Sequence, residues 1–304
     1  MQKTTIGQDM DVASIFRLIA LAAIWGGSFL FMRIGAPVFG PGVLIELRVG
    51  LAALFLWLVC RVLKRQTRLL QHWRHFLIIG LLNSALPFLL FAYAAQTLSA
   101  SLLSILNSSA PIFGAIIVAL WLRHPVGHSA ALGLLLGMVG VATLVAGSPM
   151  VHGEGWWWAI AAGLAAPFCY GLASAYTKQS PVAVDPTDNA HGSMWAAAIL
   201  VLPFALLMPI RQAPTPSDWV AVSTLAIVCT GAAYLIFFRL IKDVGPMRAL
   251  SVTFLIPVFG VLWGALFLGE TVGWSKLFGG ALVLCGTALA NGVIRLRRPS
   301  LAKI

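Results

Sequence analysis

Charged side chains are scarce in this sequence, where Asp, Glu, Lys and Arg together make up 10% of 304 residues. Soluble domains carry about 25% charged residues, so the composition excludes an ordinary soluble protein. Apolar residues reach 60%, and the mean hydropathy is +0.94. Because a backbone in lipid must satisfy its own hydrogen bonds, these values predict an all-α integral membrane protein.

Cysteines and recognisable catalytic motifs are also scarce. The four cysteines (Cys60, Cys169, Cys229 and Cys285) all lie in apolar stretches and form no C-x-x-C pair, which argues against a disulfide framework or a metal site. The sequence has no H-E-x-x-H motif, no D-D-x-x-D cluster, no Ser/Lys dyad and no paired intramembrane carboxylates. The sequence therefore lacks the residue motifs of metal-dependent and acid–base catalysis, and we predict neither an enzyme nor a cofactor.

Apolar runs of about 20 residues, the length that crosses a bilayer as a helix, dominate the chain. No stretch between them is long enough for a soluble catalytic or nucleic-acid-binding domain. The sequence predicts ten membrane-spanning helices, here called segments 1 to 10, at residues 15–36, 42–62, 75–96, 100–122, 127–147, 156–178, 190–210, 218–240, 247–268 and 272–294.

Basic residues are distributed unevenly over the predicted loops. With the N-terminus in the cytoplasm, only Arg33, Arg211 and Lys276 fall near the opposite side, and nearly all other Lys and Arg lie near the cytoplasmic side. Such a bias sets the orientation of membrane proteins. It predicts cytoplasmic termini in a multi-pass protein of the bacterial inner membrane, either a monomer or a homodimer. The net charge of +11 then reflects the basic residues that orient the protein in the membrane, and no nucleic-acid partner is expected.

The second half of the chain repeats the first at an offset of 146 residues. Pro-Ile-Phe-Gly at 111–114 returns as Pro-Val-Phe-Gly at 257–260. Because five spans per half is an odd number, the second half must be inserted upside down, as in transporters with inverted repeats. The predicted organisation is a cytoplasmic segment at 1–14, a first five-helix repeat at 15–147, a periplasmic linker at 148–155, a second repeat at 156–294 and a basic cytoplasmic tail at 295–304.

Small residues and prolines divide the segments into two kinds. Glycines three to seven residues apart in segments 5, 9 and 10 predict close helix packing. Pro111 and Pro257 occupy equivalent mid-span positions in segments 4 and 9, where each removes a backbone hydrogen bond. A site on the pseudo-symmetry axis would be built there.

Polar and aromatic side chains within the segments are the candidate substrate-binding residues, because polar groups in a membrane are expensive. The rival interpretations are a bond to the i−4 carbonyl for Ser and Thr, interhelical bonding for Asn and core packing for Trp and Tyr. Together with the two prolines, the candidates are Trp25, Ser28, Asn83, Asn107, Pro111, Tyr170, Ser174, Tyr234, Thr253 and Pro257.

Two charges lie inside segment 2. Glu46 and Arg48 are two residues apart and therefore point to different faces of a helix. Arg48 could reach outward or attract a carboxylate or phosphate in a cavity, and Glu46 could pair with Arg33. Glu46 is also the one carboxylate clearly inside a segment, so it is the candidate carrier if transport is coupled to protons.

The sequence resembles the EamA-type ten-helix exporters of the drug/metabolite transporter superfamily. The resemblance is carried by Trp-Gly-Gly-Ser-Phe at 25–29, by Arg48, by residues 231–251, and by Leu-Ile-Pro-Val-Phe at 255–259 with Leu-Gly-Glu at 268–270. The first-half counterpart of Leu-Gly-Glu is Leu-Arg-His at 122–124, so its carboxylate is missing. We expect Glu270, at a helix end, to cap a helix or join two helices.

The resemblance implies export or facilitated movement of a small metabolite, such as an amino acid, an amino-acid derivative or an amphipathic compound. It implies a central cavity between segments 1, 3, 4, 6, 8 and 9, with segments 5 and 10 as a scaffold. The expected partners are a small-molecule substrate and the lipid bilayer. A lipid or lipid-linked-sugar flippase is the alternative, and a membrane-embedded enzyme fits less well.

Overall fold

The computed structural model describes residues 11–65, 69–121, 128–147 and 155–290. All regular elements in these ranges are helical, and seven helices there are long and apolar enough to cross a membrane. Two more apolar helices are shorter. The helices are Val12–Val62, Trp73–Ala95, Ala100–Trp121, His128–Ala146, Trp156–Gln179, Pro186–Leu207, Pro216–Val244, Val252–Leu268 and Trp274–Ala290.

Segments 1 and 2 form the single helical run Val12–Val62, which bends at Gly40. Gly40 has φ 72° and ψ 158°, a backbone conformation that residues with a Cβ rarely adopt. The carbonyl of Val38 beside this bend accepts hydrogen bonds from the N–H groups of Arg211 (2.9 Å) and Gln212 (3.2 Å). The described part of each predicted segment is thus mainly helical, whereas ten crossings and cytoplasmic termini remain predictions.

The proline in segment 4 interrupts its helix. The segment consists of Ala100–Asn107 and Ala110–Trp121, joined by a turn at Ser108. A side chain from segment 10 covers the carbonyl of Ser108, because the Thr287 hydroxyl donates to it at 2.8 Å. By contrast, Pro257 lies inside the unbroken helix Val252–Leu268, which a short helix at Pro246–Ala249 precedes.

Segments 5 and 10 pack with their backbones in contact. A Cβ added to Gly133 would lie 2.5 Å from the carbonyl oxygen of Gly286, and one added to Gly140 would lie 2.8 Å from that of Gly279. Any side chain at these positions would force the helices apart. The predicted close packing through small residues is confirmed for this pair, consistent with its expected role as a scaffold.

Besides the bend at Gly40 and the break in segment 4, π-helical turns occur at equivalent positions of the two halves. Segment 3 contains a π-helical turn at Leu81–Ala85, and segment 8 contains one at Ile227–Ala232. Adding the repeat offset of 146 to residues 81–85 gives 227–231. Because π turns inside α-helices are frequent at functional sites, this symmetric pair marks the middle of both segments as the place to look for a site.

Candidate functional site

Arg48 is the most deeply buried charge in the part of the chain that the structure describes, with 5% of its surface exposed. Its Nε donates to the Thr230 hydroxyl at 3.0 Å, and its Nη1 contacts the Met32 sulfur at 3.5 Å. The guanidinium carbon lies 3.6 Å from the ring centroid of Phe88. Segments 1, 2, 3 and 8 therefore meet at this one cation.

The Arg48 partner on segment 8 comes from the π turn. The Thr230 hydroxyl donates to the carbonyl of Leu225 at 2.9 Å, five residues earlier, and accepts from Arg48. An α-helical hydroxyl would bond three or four residues back, so the wider turn aims this oxygen at segment 2. The π turn thus builds the contact on which the site depends.

Two phenols and the π turn of segment 3 complete the site. The phenols of Tyr170 and Tyr234 lie close to the Arg48 guanidinium, and the side chains of Asn83 and Ser84 lie beside Tyr234. We call Arg48, Thr230, Tyr170, Tyr234, Asn83 and Ser84 the Arg48 cluster. It joins both repeats through segments 2, 3, 6 and 8.

Aromatic rings surround the Arg48 cluster. Phe91 lies 6.4 Å from Tyr170 and 5.4 Å from Phe29, measured between ring centroids. On the other side, Tyr234 stacks on Phe238 at 5.9 Å. The site therefore combines one cation and several neutral hydrogen-bonding groups with an aromatic wall, an arrangement that suits a small solute with a polar head and an apolar body.

Four of the predicted substrate-binding residues come together here. Asn83, Tyr170 and Tyr234 belong to the cluster, and Ser28 lies next to Cys229 of the second π turn. The Ser28 hydroxyl is enclosed and forms no hydrogen bond within the described residues. Trp25 lies one turn before Ser28 and contacts Phe237 at 5.2 Å between ring centroids, so it borders the same aromatic wall.

The other predicted residues lie elsewhere. Asn107 and Pro111 flank the break in segment 4. Ser174 is exposed, the Thr253 hydroxyl donates to the carbonyl of Leu250 at 2.8 Å, and Pro257 is buried within its helix. Among the described residues, no hydrogen bond or ring contact joins these side chains to the Arg48 cluster.

The suggested pair between Glu46 and Arg33 is wrong. Arg33 instead donates at 2.7 Å to the carbonyls of Ala95 and Gln96, at the C-terminus of segment 3, where the helix dipole favours a cation. Glu46 is half-buried, and its Oε2 is enclosed without a hydrogen-bond partner in the described residues. Glu46 and Arg48 do lie on different faces, as predicted.

Glu270 caps a helix of the other repeat. Its carboxylate accepts from the backbone N–H groups of Ala100 (2.7 Å) and Ser101 (3.1 Å) and from the Ser101 hydroxyl. Lys276 Nζ lies 3.8 Å away. The predicted capping and inter-helix role is confirmed, and the carboxylate joins segment 4 of the first repeat to the loop after segment 9.

Several residues of the site escaped the sequence-based prediction. Thr230, Ser84, Phe88 and Met32 carry no distinctive motif, and the π turns leave hydropathy unchanged. The signal that could have found Thr230 and Ser84 is the repeat itself, because Asn83-Ser84 and Cys229-Thr230 are adjacent small polar residues at equivalent mid-span positions. Among the described residues, no group of His, Cys, Asp and Glu could hold a metal ion.

Comparison with known proteins agrees with this architecture. Residues 13–146 and 157–292 each match the model of the EamA-like transporter family. The chain is 21% identical to the uncharacterized transporter YoaV of Bacillus subtilis, over 88% of this chain and 93% of the relative. It is 25% identical to a probable amino-acid metabolite efflux pump of Salmonella typhimurium, over 93% and 96%.

A solved crystal structure shares the fold. It superposes with a TM-score of 0.63 at 19% sequence identity, and the match covers 92% of this chain and 97% of the other. The two family matches cover both repeats, and the relatives' names indicate transporters rather than enzymes. The chain therefore belongs to the EamA-like transporter family, within the drug/metabolite transporter superfamily, and is a multi-pass membrane protein.

Proposed function

We propose that this protein is a secondary transporter that moves a small metabolite across the bacterial inner membrane by alternating access. The solute is an amino acid, an amino-acid derivative or an amphipathic compound of similar size, moved by export or facilitated exchange. The observation that carries the proposal is the pair of π turns at equivalent positions, which direct Asn83 and Thr230 toward one mid-membrane site shared by the two repeats.

Alternating access needs a site between two units that can rock against each other. Segments 2 and 3 contribute Arg48 and Asn83 from the first repeat, and segments 6 and 8 contribute Tyr170 and Tyr234 from the second. Segments 5 and 10 pack too closely to separate, so they suit a fixed scaffold. The name of the Salmonella typhimurium relative, a probable amino-acid metabolite efflux pump, supports testing amino-acid metabolites first.

The direct test is counterflow in proteoliposomes. Cells that overexpress or lack the protein are first screened for tolerance to a panel of amino acids and their derivatives. Purified protein is then reconstituted, and the uptake of labelled hits is measured against an internal load of the same compound. Uptake that needs both protein and load supports a transporter, whereas protein-dependent movement of fluorescent phospholipid without any counterflow would support the flippase alternative.

Asn83→Ala is expected to raise the half-saturation concentration of the transported solute by about 5- to 30-fold, because a lost hydrogen bond to a bound polar group is worth roughly 1–2 kcal/mol. Tyr93→Phe is the matched control, since Tyr93 lies ten residues further along the same segment and is 43% exposed. An equal effect of both variants, or an effect on folding alone, would assign Asn83 to helix packing.

Glu46→Gln is expected to abolish the dependence of uptake on a pH gradient while leaving counterflow intact. The physical reason is that Glu46 has an enclosed carboxylate oxygen with no hydrogen-bond partner in the described residues, so its charge is not neutralised by a neighbour. Glu46→Asp, which keeps the carboxyl group, is the control. Gradient-driven uptake that is unchanged in Glu46→Gln would remove Glu46 from the coupling.

A further inference from the structure

Arg48 is a buried cation that forms no ion pair with a carboxylate of the described residues. The ion pairs that the described residues form are Arg17–Asp243, Arg65–Asp185, Arg239–Asp243 and Lys276–Glu270. None of them includes Arg48, and Glu46 points to another face of the helix. Buried arginines are normally paired with an anion, and a charge within a membrane marks a functional site by default.

The hydrogen-bonding capacity of Arg48 is largely unused. A guanidinium carries five N–H donors. One of them donates to Thr230 and one contacts the Met32 sulfur, so both N–H groups of Nη2 and one of Nη1 have no acceptor among the described residues. Both existing partners are neutral, and the sulfur is a weak acceptor.

The way Arg48 is held keeps those donors available. Phe88 covers one flat face of the guanidinium at 3.6 Å, which stabilises the cation through the ring electrons without using an N–H group. Thr230 occupies Nε. The remaining edge, formed by Nη1 and Nη2, is one of the edges through which a guanidinium can bind a carboxylate or phosphate with two parallel hydrogen bonds.

The neighbours of Arg48 are suited to the same ligand. Tyr170 and Tyr234 are the phenols that interact with it electrostatically, and a phenolic O–H can donate to an anion. The ring of Phe91, next to Tyr170, extends the site as an apolar surface. The set is a cation with hydroxyl donors at one end and aromatic rings at the other.

We propose that Arg48 is the counter-cation for an anionic group, a carboxylate or a phosphate, of the molecule that this protein moves, and that the anion binds to the Nη1–Nη2 edge between segments 2, 3, 6 and 8. This inference rests on the proposed transport function and names the chemical class of its substrate. The anion could belong to a small metabolite or to a lipid head group, and the experiment below separates the two sources.

The test compares matched ligands on the purified full-length protein. The probes are 3-phenylpropionate and its neutral isostere 3-phenylpropionamide, which differ only in the charge of the head group. We expect millimolar 3-phenylpropionate, but not the amide, to raise the melting temperature of the wild-type protein in detergent by several degrees. Arg48→Gln should lose this shift, and Arg48→Lys should weaken apparent affinity at least tenfold. Equal shifts with both probes would overturn the proposal.

A structural role for Arg48 makes the opposite prediction for the protein without ligand. If Arg48 only joins segments 2 and 8, Arg48→Gln and Arg48→Met should melt well below the wild-type protein. If Arg48 binds the anion of a ligand and is unpaired without it, removing the charge should leave the melting temperature of the ligand-free protein unchanged or higher than that of the wild type. Arg239→Gln, at an exposed ion pair, serves as the control for loss of a positive charge.

Proteoliposome assays distinguish a metabolite from a lipid as the source of the anion. They also distinguish failure of the anion site from failure of the transport function. Carboxylate counterflow that Arg48→Gln loses assigns the anion to a metabolite, whereas movement of fluorescent phosphatidylglycerol that Arg48→Gln loses assigns it to a lipid. Counterflow of carboxylate and amide at equal rates overturns the anion site and leaves the transporter standing. The melting experiment needs no transport, so it decides the anion site even if no solute is moved.

Discussion

Gly286→Ala is expected to destabilise the protein by about 2–3 kcal/mol, the upper part of the range for overpacking in a well-packed core. A Cβ at this position would lie 2.5 Å from the carbonyl oxygen of Gly133 and 2.6 Å from the backbone nitrogen of Gly137. Both obstacles belong to the backbone of segment 5, which cannot rotate away as a side chain can. The two scaffold helices must therefore move apart along their whole contact.

The matched control for this change is Gly280→Ala in the same helix. A Cβ there would meet the side chain of Ile105, whose nearest atom, Cδ1, would lie 3.5 Å away, an ordinary contact. Because alanine favours a helix over glycine by roughly 1 kcal/mol, Gly280→Ala should be neutral or stabilising. Melting temperatures in detergent would give opposite signs for the two variants, and a Gly286→Ala protein at least as stable as wild type would refute the backbone contact.

Glu270→Gln is expected to lower the stability of the folded protein by about 2–4 kcal/mol, because charge-assisted hydrogen bonds are worth 1.5–3 kcal/mol each and buried donors would be left unpaired. The carboxylate fills a space that Gly264 leaves open, since a Cβ at Gly264 would lie 2.7 Å from its Oε2. The Ala100 N–H binds Oε1 and the Ser101 N–H binds Oε2, so an amide in the same place would turn its NH₂ group toward one of these two donors.

The control for Glu270→Gln is a substitution of Lys276, which contacts the carboxylate at a longer distance than the N–H groups do. Lys276 lies 3.8 Å from the carboxylate, beyond a strong hydrogen bond, and the carboxylate keeps its three hydrogen bonds to Ala100 and Ser101 without it, so Lys276→Met should cost clearly less stability than Glu270→Gln. Both variants would be compared by melting in detergent and by the resistance of segment 4 to proteolysis. A Lys276→Met effect as large as that of Glu270→Gln would show that the ion pair, rather than the helix cap, stabilises this joint.

The helical segments were predictable because each is a long apolar run, and their existence depends on composition rather than on neighbours. The role of Glu270 could also be predicted from the sequence. Gly269 ends segment 9 in a left-handed conformation with φ 63°, and Glu270 N–H donates to the carbonyl of Gly264 at 3.1 Å. These local features, readable from Leu-Gly-Glu, turn the carboxylate back toward a neighbouring helix.

The Arg48 cluster was only partly predictable, for a physical reason. The contact between Arg48 and Thr230 joins residues 182 positions apart, and it exists because a π turn rotates segment 8 by part of a turn. One extra residue in a helical turn changes no hydropathy pattern and needs no proline, so the sequence does not reveal it. The prolines attracted attention instead, yet Pro257 sits in an unbroken helix.

The pairing of Arg33 failed for a related reason. Sequence spacing placed Arg33 and Glu46 near the same end of the bundle, and opposite charges suggested an ion pair. The structure offers Arg33 the free carbonyls of Ala95 and Gln96 instead, two acceptors of fixed geometry at a helix end. Backbone acceptors leave no trace in a sequence, so an expectation based on side-chain charge alone misses them.

The Glu270 joint is not repeated residue for residue in the other half of the sequence. Under the repeat offset, Glu270 corresponds to His124, which lies outside the described residues, and Ala100 corresponds to Pro246, which begins the helix Pro246–Ala249 and has no N–H to offer. If the repeats rock against each other as proposed, opening the face that holds the Glu270 joint must first break the hydrogen bonds of this carboxylate. We expect the unliganded protein to stay closed at that face for most of the time, and to need bound solute to open it.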